Sequence, residues 1–328
     1  MAKYAVKCRK SVSGDFNMAS KTLYFGKINL NSSHIYDVYN GITDIRHVLE
    51  KVLGNFYDGL TVTEERPIFY DGEVIRNDEI IYKATVREKT DTYIYGYLYK
   101  KSTLYYKEED PNTNGLVSKH VSNTESIEFY IDIFKEMIGY YTSQRFGQKE
   151  ILSVLGKMLT EIMKDDEYTF VIDKYTDGLD IKEIKRELKS IKGIQRLAIE
   201  YKPANPDTEI MKSIETNGKG RLERFEEANL SSKSVIFTAS NRMGLNISSD
   251  EINNEIEEID NMQKDIDAKT ATKNGYIKVE ATGSDGTVHS TEDQAQVKKK
   301  INNVCEFKLA CRDIISIKTS QRVLVEEE

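Results

Sequence analysis

Glu200 and Lys202 are the residues of this 328-residue sequence that come nearest to a catalytic set. Metal-dependent nucleases hold Mg²⁺ with two or three carboxylates and use a lysine near the attacking water, which fits the glutamate-x-lysine order at the end of a predicted strand. Asp173 would be the second carboxylate. However, a predicted helix separates Asp173 from Glu200, whereas restriction-type nucleases join these strands by a short turn. A metal-dependent nuclease is therefore an alternative, and the sequence favours a protein that is not an enzyme.

The stretch Val288-His-Ser-Thr-Glu-Asp293 offers a different chemistry, the binding of an anion. A strand is predicted to meet the start of a helix here, and the free backbone N–H groups of a helix N-terminus bind anions. His289, Ser290 and Thr291 would add hydrogen-bond donors to this possible anion site. The alternative is that Ser290 or Thr291 only caps the helix. The sequence predicts no metal site and no cofactor.

Asn205 lies in Lys202-Pro-Ala-Asn-Pro-Asp207, a connector that follows a predicted strand. Its two prolines restrict the backbone, and polar loops after strands often bind ligands. Asn205 is therefore a weak site candidate. Gly218-Lys-Gly-Arg221 has glycines and cations that could contact phosphate, but it lacks the phosphate-binding loop pattern and is interpreted as a solvated turn.

The stretch TYIYGYLYKK at 92–101 places a tyrosine at every second position. In a strand these rings share one face, and the opposite face, with Ile94 and Leu98, would supply core. Aromatic rings stack on bases and lysines hold phosphates, so the tyrosine face is a candidate surface for single-stranded nucleic acid. It could equally bind a partner protein, or be covered by a second layer of the same chain. The predicted binding residues are Lys7, Arg9, Tyr93, Tyr95, Tyr97, Tyr99, Lys100 and Lys101.

The net charge of −7 argues against a protein that coats duplex DNA, because neutralising phosphates requires clustered cations. Three cysteines without a CxxC motif indicate reduced thiols. The first twelve residues, MAKYAVKCRKSV, contain no apolar signal core, and no stretch approaches the length of a membrane span. The sequence therefore predicts a cytoplasmic location and no contact with a membrane.

Sixteen of the twenty tyrosines lie at or before Tyr141. Because tyrosine favours half-buried strands, an α+β protein is expected. It would have a tyrosine-rich, mainly antiparallel β domain over 1–145 and an α/β domain over 146–328. A strand–helix–strand pattern over 168–201 predicts a βαβ unit, with a ferredoxin-like arrangement as one option.

Three local predictions can be compared directly with a structure. A hairpin is predicted around Lys100 and Lys101, between two β-rich stretches. A helix is predicted over 292–302, followed by two strands over 304–311 and 313–318. A further helix over 248–268 has the apolar stripe Ile252, Ile256, Ile259, Met262 and Ile266. The part over 252–266 would pack in the core or form the contact of a homo-oligomer.

Short motifs in the C-terminal half resemble a known group of proteins. They are Tyr201-Lys-Pro-Ala-Asn-Pro-Asp207, Asn274-Gly-Tyr-Ile-Lys-Val-Glu-Ala-Thr-Gly283, Asp285-Gly286 and Ser290-Thr-Glu-Asp293. Together they are similar to an uncharacterised bacterial family found on mobile elements and near phage-defence genes. The resemblance implies a role in conflict between host and phage, and it assigns no catalytic residue.

These observations together predict a cytoplasmic binding protein of a phage-defence or mobile-element system. It would contact nucleic acid, single-stranded rather than duplex, or a partner protein. A metal-dependent nuclease and a structural subunit of a homo-oligomer or complex are the alternatives.

Overall fold

The chain forms two antiparallel β-sheets with helices packed around them in a computed structural model. The structure describes residues 20–70, 73–110, 115–206, 210–211, 220–259 and 266–320. Helices and strands are mixed and the larger sheet is mainly antiparallel, so the α+β class is confirmed. Lys7 and Arg9 lie outside the described residues, as do Gly218 and Lys219.

The larger sheet has eight strands in the order β12-β1-β6-β5-β4-β3-β2, with β7 also paired to β1. Its strands are β1 (Lys21–Leu30), β2 (Thr61–Tyr70), β3 (Glu73–Lys89), β4 (Tyr93–Glu109), β5 (Leu116–Asp132), β6 (Met137–Tyr141), β7 (Phe170–Lys174) and β12 (Lys298–Ile301). Strand β1 pairs with β12 through its first residues and with β7 through its last ones. Two segments that are distant in the sequence therefore share one edge of β1.

The smaller sheet has four strands in the order β11-β10-β8-β9, all antiparallel. They are β8 (Arg196–Tyr201), β9 (Lys233–Thr238), β10 (Ile277–Thr282) and β11 (Val288–Ser290). A βαβ unit needs two parallel strands, but β7 and β8 belong to different sheets, so the predicted unit is not formed. The division into domains 1–145 and 146–328 stays a prediction, and β7 and β12 join the larger sheet although both follow residue 145.

Eight helices are described. They are α1 (Ile35–Tyr39), α2 (Ile45–Asn55), α3 (Gln148–Glu161), α4 (Ile181–Ser190), α5 (Arg221–Glu227), α6 (Asp250–Glu257), α7 (Ala268–Lys273) and α8 (Phe307–Ser320). Helices α2 and α3 lie on the face that carries Ile94 and Leu98, and α8 lies on the opposite face. The longest described helices have 14 residues, and none of the described helices combines the length and the apolar character that crossing a bilayer requires.

The C-terminal segment differs from the prediction. Strand β12 lies inside the predicted helix over 292–302, and α8 replaces the two predicted strands. The buried side chains of Phe307, Cys311 and Ile315 recur every four residues, which is the period of a helix face and not of a strand.

Residues 93–109 form one continuous strand, so the predicted hairpin around Lys100 and Lys101 is wrong. The register of β4 with β5 is unbroken from Tyr93 opposite Asp132 to Glu109 opposite Leu116. The Lys100 side chain turns to the core face, where α3 provides its partner, and no turn is needed to expose its charge.

The predicted helix over 248–268 is shorter in the structure. Helix α6 ends at Glu257, and residues 260–265, with Met262, lie outside the described part. Ile252, Ile256, Ile259 and Ile266 are all buried in the core of this chain. Packing within the chain accounts for these four isoleucines, and an oligomer contact through 252–266 stays a prediction.

Candidate nucleic-acid interface

The four tyrosine rings of β4 share one face, as the sequence alternation predicts. Tyr93, Tyr95, Tyr97 and Tyr99 are half-buried. The residues between them, Ile94, Gly96 and Leu98, are buried on the opposite face. Helix α8 determines which of these rings are covered by a second layer of the chain.

Helix α8 packs over the first two rings. The Tyr95 ring lies 6.2 Å from the Phe307 ring, and the Lys308 ammonium lies 5.8 Å and 6.0 Å from the rings of Tyr93 and Tyr95. Glu88 accepts hydrogen bonds from the Tyr93 hydroxyl and from Lys308. Tyr93 and Tyr95 therefore hold α8 on the sheet and are not available as a stacking surface.

Glu128 of β5 lies among the rings and is 5 % exposed. Burial raises the pKa of the Glu128 carboxyl, and hydrogen bonds from the hydroxyls of Tyr97 and Tyr95 oppose the rise. One of its oxygens, Oε2, has no hydrogen-bond partner among the described residues. These hydrogen bonds orient the rings of Tyr95 and Tyr97, which lie where the cover provided by α8 ends.

Glu128 should give the folding stability a measurable pH dependence. Because its pKa is raised in the folded state, folding binds a proton more tightly, and stability falls as the pH rises from about 4.5 through the folded pKa. Glu128→Gln keeps an oxygen for the tyrosine hydroxyls and removes the titration. We expect its melting temperature to fall less than that of the wild type between pH 4 and pH 7. If the melting temperatures of both proteins changed equally with pH across this range, the titration would not be that of Glu128.

The part of the face beyond α8 carries rings and cations together. We call Lys83, Arg87, Tyr97, Tyr99 and Lys101 the Tyr97 patch. The rings of Tyr97 and Tyr99 are 6.2 Å apart, Lys83 lies directly opposite Tyr99, and the Arg87 guanidinium lies 5.1 Å from the Tyr97 ring. Within the described part of the chain, none of the three cations forms an ion pair. The patch is therefore an open surface with unneutralised positive charge.

A bulge in β3 brings Arg87 to this surface. The register between β3 and β4 shifts between Val86 and Glu88, opposite Gly96 and Tyr95. A Cβ at Gly96 would lie 2.0 Å from the carbonyl oxygen of Thr85, so only glycine allows the strands to approach this closely. The glycine inside TYIYGYLY thus permits the bulge.

Lys83 and Arg87 were missed in the sequence. Counting back from Lys89 opposite Ile94 would place Lys83 opposite Lys100, and only the bulge between Val86 and Glu88 shifts it to Tyr99. Lys100 is among the predicted binding residues, but it lies on the same face of β4 as Ile94 and Leu98 and its side chain points to the core. Its ammonium lies 2.7 Å from Glu150 and donates to the Arg145 carbonyl at 2.7 Å. We therefore leave Lys100 out of the interface.

The anion site predicted at His289, Ser290 and Thr291 required the N-terminus of a helix beside it, and no helix begins there. Ser290 and Thr291 are buried, and their hydroxyl oxygens accept hydrogen bonds from the backbone N–H groups of Glu292 and Val279. The cavity beside them has a volume of about 20 Å³. The side chains serve the local backbone, and an anion site here stays a prediction without a helix terminus to support it.

Two of the three residues of the nuclease alternative do meet. Lys202 Nζ lies 2.8 Å from Asp173 Oδ1, and Asn29 Nδ2 lies 2.7 Å from Asp173 Oδ2. Both carboxylate oxygens are thus engaged by side chains of this chain. Within the described ranges, no group of three or more His, Cys, Asp or Glu side chains could hold a metal ion.

Asn205 joins the two sheets. Its Nδ2 donates to Ile28 O at 2.8 Å and to Glu136 Oε1 at 2.6 Å, and its Oδ1 accepts from Leu30 N. Lys27 Nζ lies 2.5 Å from Glu136 Oε2, so this buried cluster ties the connector after β8 to strand β1. Asn205 therefore has a structural role.

A cavity with a volume of about 660 Å³ lies between α3, β7 and β10. Four lysines line it: Lys149, Lys157, Lys174 and Lys278. Three of them are paired with carboxylates, Lys157 with Glu64, Lys174 with Asp293 and Lys278 with Glu292. Because these charges are balanced, the cavity attracts an anion less strongly than the unpaired cations of the Tyr97 patch do.

Fold and surface together define an α+β protein with an open aromatic and basic face. No model of a known protein family matches the chain, and no curated protein matches it.

Proposed function

We propose that this is a binding protein that contacts single-stranded nucleic acid through the Tyr97 patch. The observation that supports it is the pair of neighbouring rings, Tyr97 and Tyr99, with three cations around them that have no ion-pair partner in the described chain. Rings that stack on bases and cations that hold phosphates are the two parts of a single-strand surface. No catalytic step is part of the proposal.

Single strands suit the patch better than a duplex. With a net charge of −7, the chain has no overall excess of cations with which to neutralise the two phosphate backbones of a duplex. The bases of a duplex are stacked on each other, whereas those of a single strand are free to stack on Tyr97 and Tyr99.

The cellular setting is the less direct part of the proposal. The resemblance of the YKPANPD and later motifs to proteins of mobile elements supports a phage-defence or mobile-element system. The low cysteine content, without a CxxC motif, supports a reducing compartment such as the cytoplasm.

Salt dependence of binding tests the role of the cations. With labelled single-stranded DNA and RNA, a plot of log affinity against log salt should have a slope of about −2 if the three cations contact three phosphates. The triple variant Lys83→Ala, Arg87→Ala, Lys101→Ala should lose most of the affinity and most of the slope. A duplex of the same sequence should bind more weakly to the wild type.

A matched control changes three cations on another surface. Lys182, Lys189 and Lys192 are exposed on and just after α4, and their alanine variant should bind like the wild type. Absence of single-strand binding by the wild type, or equal affinities of both triple variants, would reject the proposal.

A further inference from the structure

The outer half of the β4–β5 hairpin is unpaired on both sides. Strands β4 and β5 pair with each other along all 17 residues, but β3 pairs with β4 only as far as Lys101. Strand β6 pairs with β5 only from Phe129 to Asp132. Within the described ranges, residues 102–109 and 116–123 therefore form a two-stranded projection, which we call the β-arm.

The β-arm exposes apolar side chains. These are Leu116, Val117, Val121, Tyr105 and Tyr106, with exposed fractions of 69 %, 37 %, 48 %, 39 % and 44 %. Tyr105 has contacts within the chain, since the Arg76 guanidinium lies 3.6 Å from its ring and its hydroxyl donates to Asp78. Val117, Val121 and Tyr106 share one face of the arm, whereas Leu116 lies on the opposite face. Exposed apolar side chains of this kind are typical of an interface.

The free edge of β5 can form a regular ladder with another strand. Ile133 N donates to Thr92 O and Asp110 N donates to Gly115 O, which sets the hydrogen-bond alternation along the hairpin. The backbone groups of Ser118, His120 and Ser122 then point away from β4. They form a row of donors and acceptors along the outer edge.

This edge lacks the usual protection against pairing. Proteins guard exposed edges with prolines, bulges or several charges. Residues 116–123 read LVSKHVSN, with no proline, and their register with β4 has no bulge. The one lysine, Lys119, is neutralised by an ion pair with Glu108 of the same arm. Nothing in the segment opposes the approach of another strand.

We propose that the β-arm pairs edge to edge with the β-arm of a second copy of this chain, forming a two-fold symmetric dimer. An antiparallel pair of identical β5 edges is self-complementary, so each copy uses the same edge and the contact is two-fold symmetric. The pairing brings Val117 of one copy near Val121 of the other and covers both from water. This inference does not depend on the proposed binding of nucleic acid.

Light scattering coupled to gel filtration, over a range of concentrations up to about 100 µM, tests the dimer. The wild type should show a mass that rises from monomer to dimer. Val121→Lys puts a charge on the apolar surface and should weaken self-association by about tenfold or more, or ~1.4 kcal/mol. Ser122→Pro removes an outward N–H without removing a bond to β4 and should act in the same direction.

Val288→Lys is the matched control, because Val288 is an exposed strand residue of the smaller sheet, whereas the arm belongs to the larger one. It should dimerise like the wild type. Circular dichroism of all three variants should match that of the wild type, which shows that the fold is retained. A wild type that stays monomeric, or a dimer unaffected by both arm variants, would overturn the inference.

Discussion

Replacing Glu136 with alanine is expected to lower the free energy of unfolding by about 3–5 kcal/mol, because a buried ion pair would lose one partner. Lys27 is 4 % exposed and its ammonium lies 2.5 Å from Glu136 Oε2. One N–H of the Asn205 amide would lose its acceptor at the same time, since Glu136 Oε1 lies 2.6 Å from Asn205 Nδ2, while the bond to Ile28 O remains. A buried charge and one buried amide N–H would both be left unsatisfied.

Two further variants test whether the loss of stability comes from the buried ion pair or would follow from removing any carboxylate. Glu136→Gln keeps the size and a hydrogen-bonding oxygen, so it should cost less than alanine. Glu161→Ala breaks an exposed pair with Lys164 and should cost about 0–1 kcal/mol. Urea unfolding followed by circular dichroism measures all three, since the chain has no tryptophan. A loss for Glu136→Ala no larger than that for Glu161→Ala would show that the buried cluster does not hold the sheets together.

The double variant Tyr97→Ala, Tyr99→Ala is expected to bind single-stranded nucleic acid about 30-fold more weakly, since each stacked base contributes ~1–3 kcal/mol and the half-buried rings favour the lower end. Filter binding or fluorescence anisotropy with the same labelled oligonucleotides measures the change. The salt slope should stay close to that of the wild type, because the three cations remain.

Phenylalanine at both positions provides the first control, because it keeps the rings and removes only the two hydroxyls, of which that of Tyr97 reaches Glu128. This variant should retain most of the affinity. Alanine at Tyr105 and Tyr106, which lie on the β-arm, removes two rings outside the patch and should leave the affinity unchanged. If this arm variant weakens binding as much as the patch variant, the strand contacts the arm and the Tyr97 patch is not the interface.

The hydrophobic alternation of β4 was enough to predict which side chains share a face. Ile94 and Leu98 are fully buried and the tyrosines are not, because side chains of a strand alternate whatever the strand pairs with. The apolar residues of α3 likewise repeat with the helical period, so this helix is indicated by its own sequence. Such local periodicities depend on neighbouring residues alone.

Pairing between distant segments was not predictable in this way. Asp173 and Lys202 do meet, but as an ion pair that also involves Asn29, a residue far away in the sequence. Strands β7 and β8 looked like one βαβ unit, yet β7 pairs with β1 and β8 with β10. Strand partners are chosen by the packing of whole faces, and short sequence windows do not contain that information.

The sequence by itself therefore determined the α+β class, the tyrosine face of β4 and the core face behind it. The tertiary structure decided which part of that face is open. Helix α8, more than two hundred residues later in the chain, covers Tyr93 and Tyr95 through Phe307 and Lys308. Strand β3 brings Lys83 and Arg87 beside Tyr97 and Tyr99. The physical reason is that side-chain direction is a local property of a strand, whereas exposure depends on which distant elements pack against it.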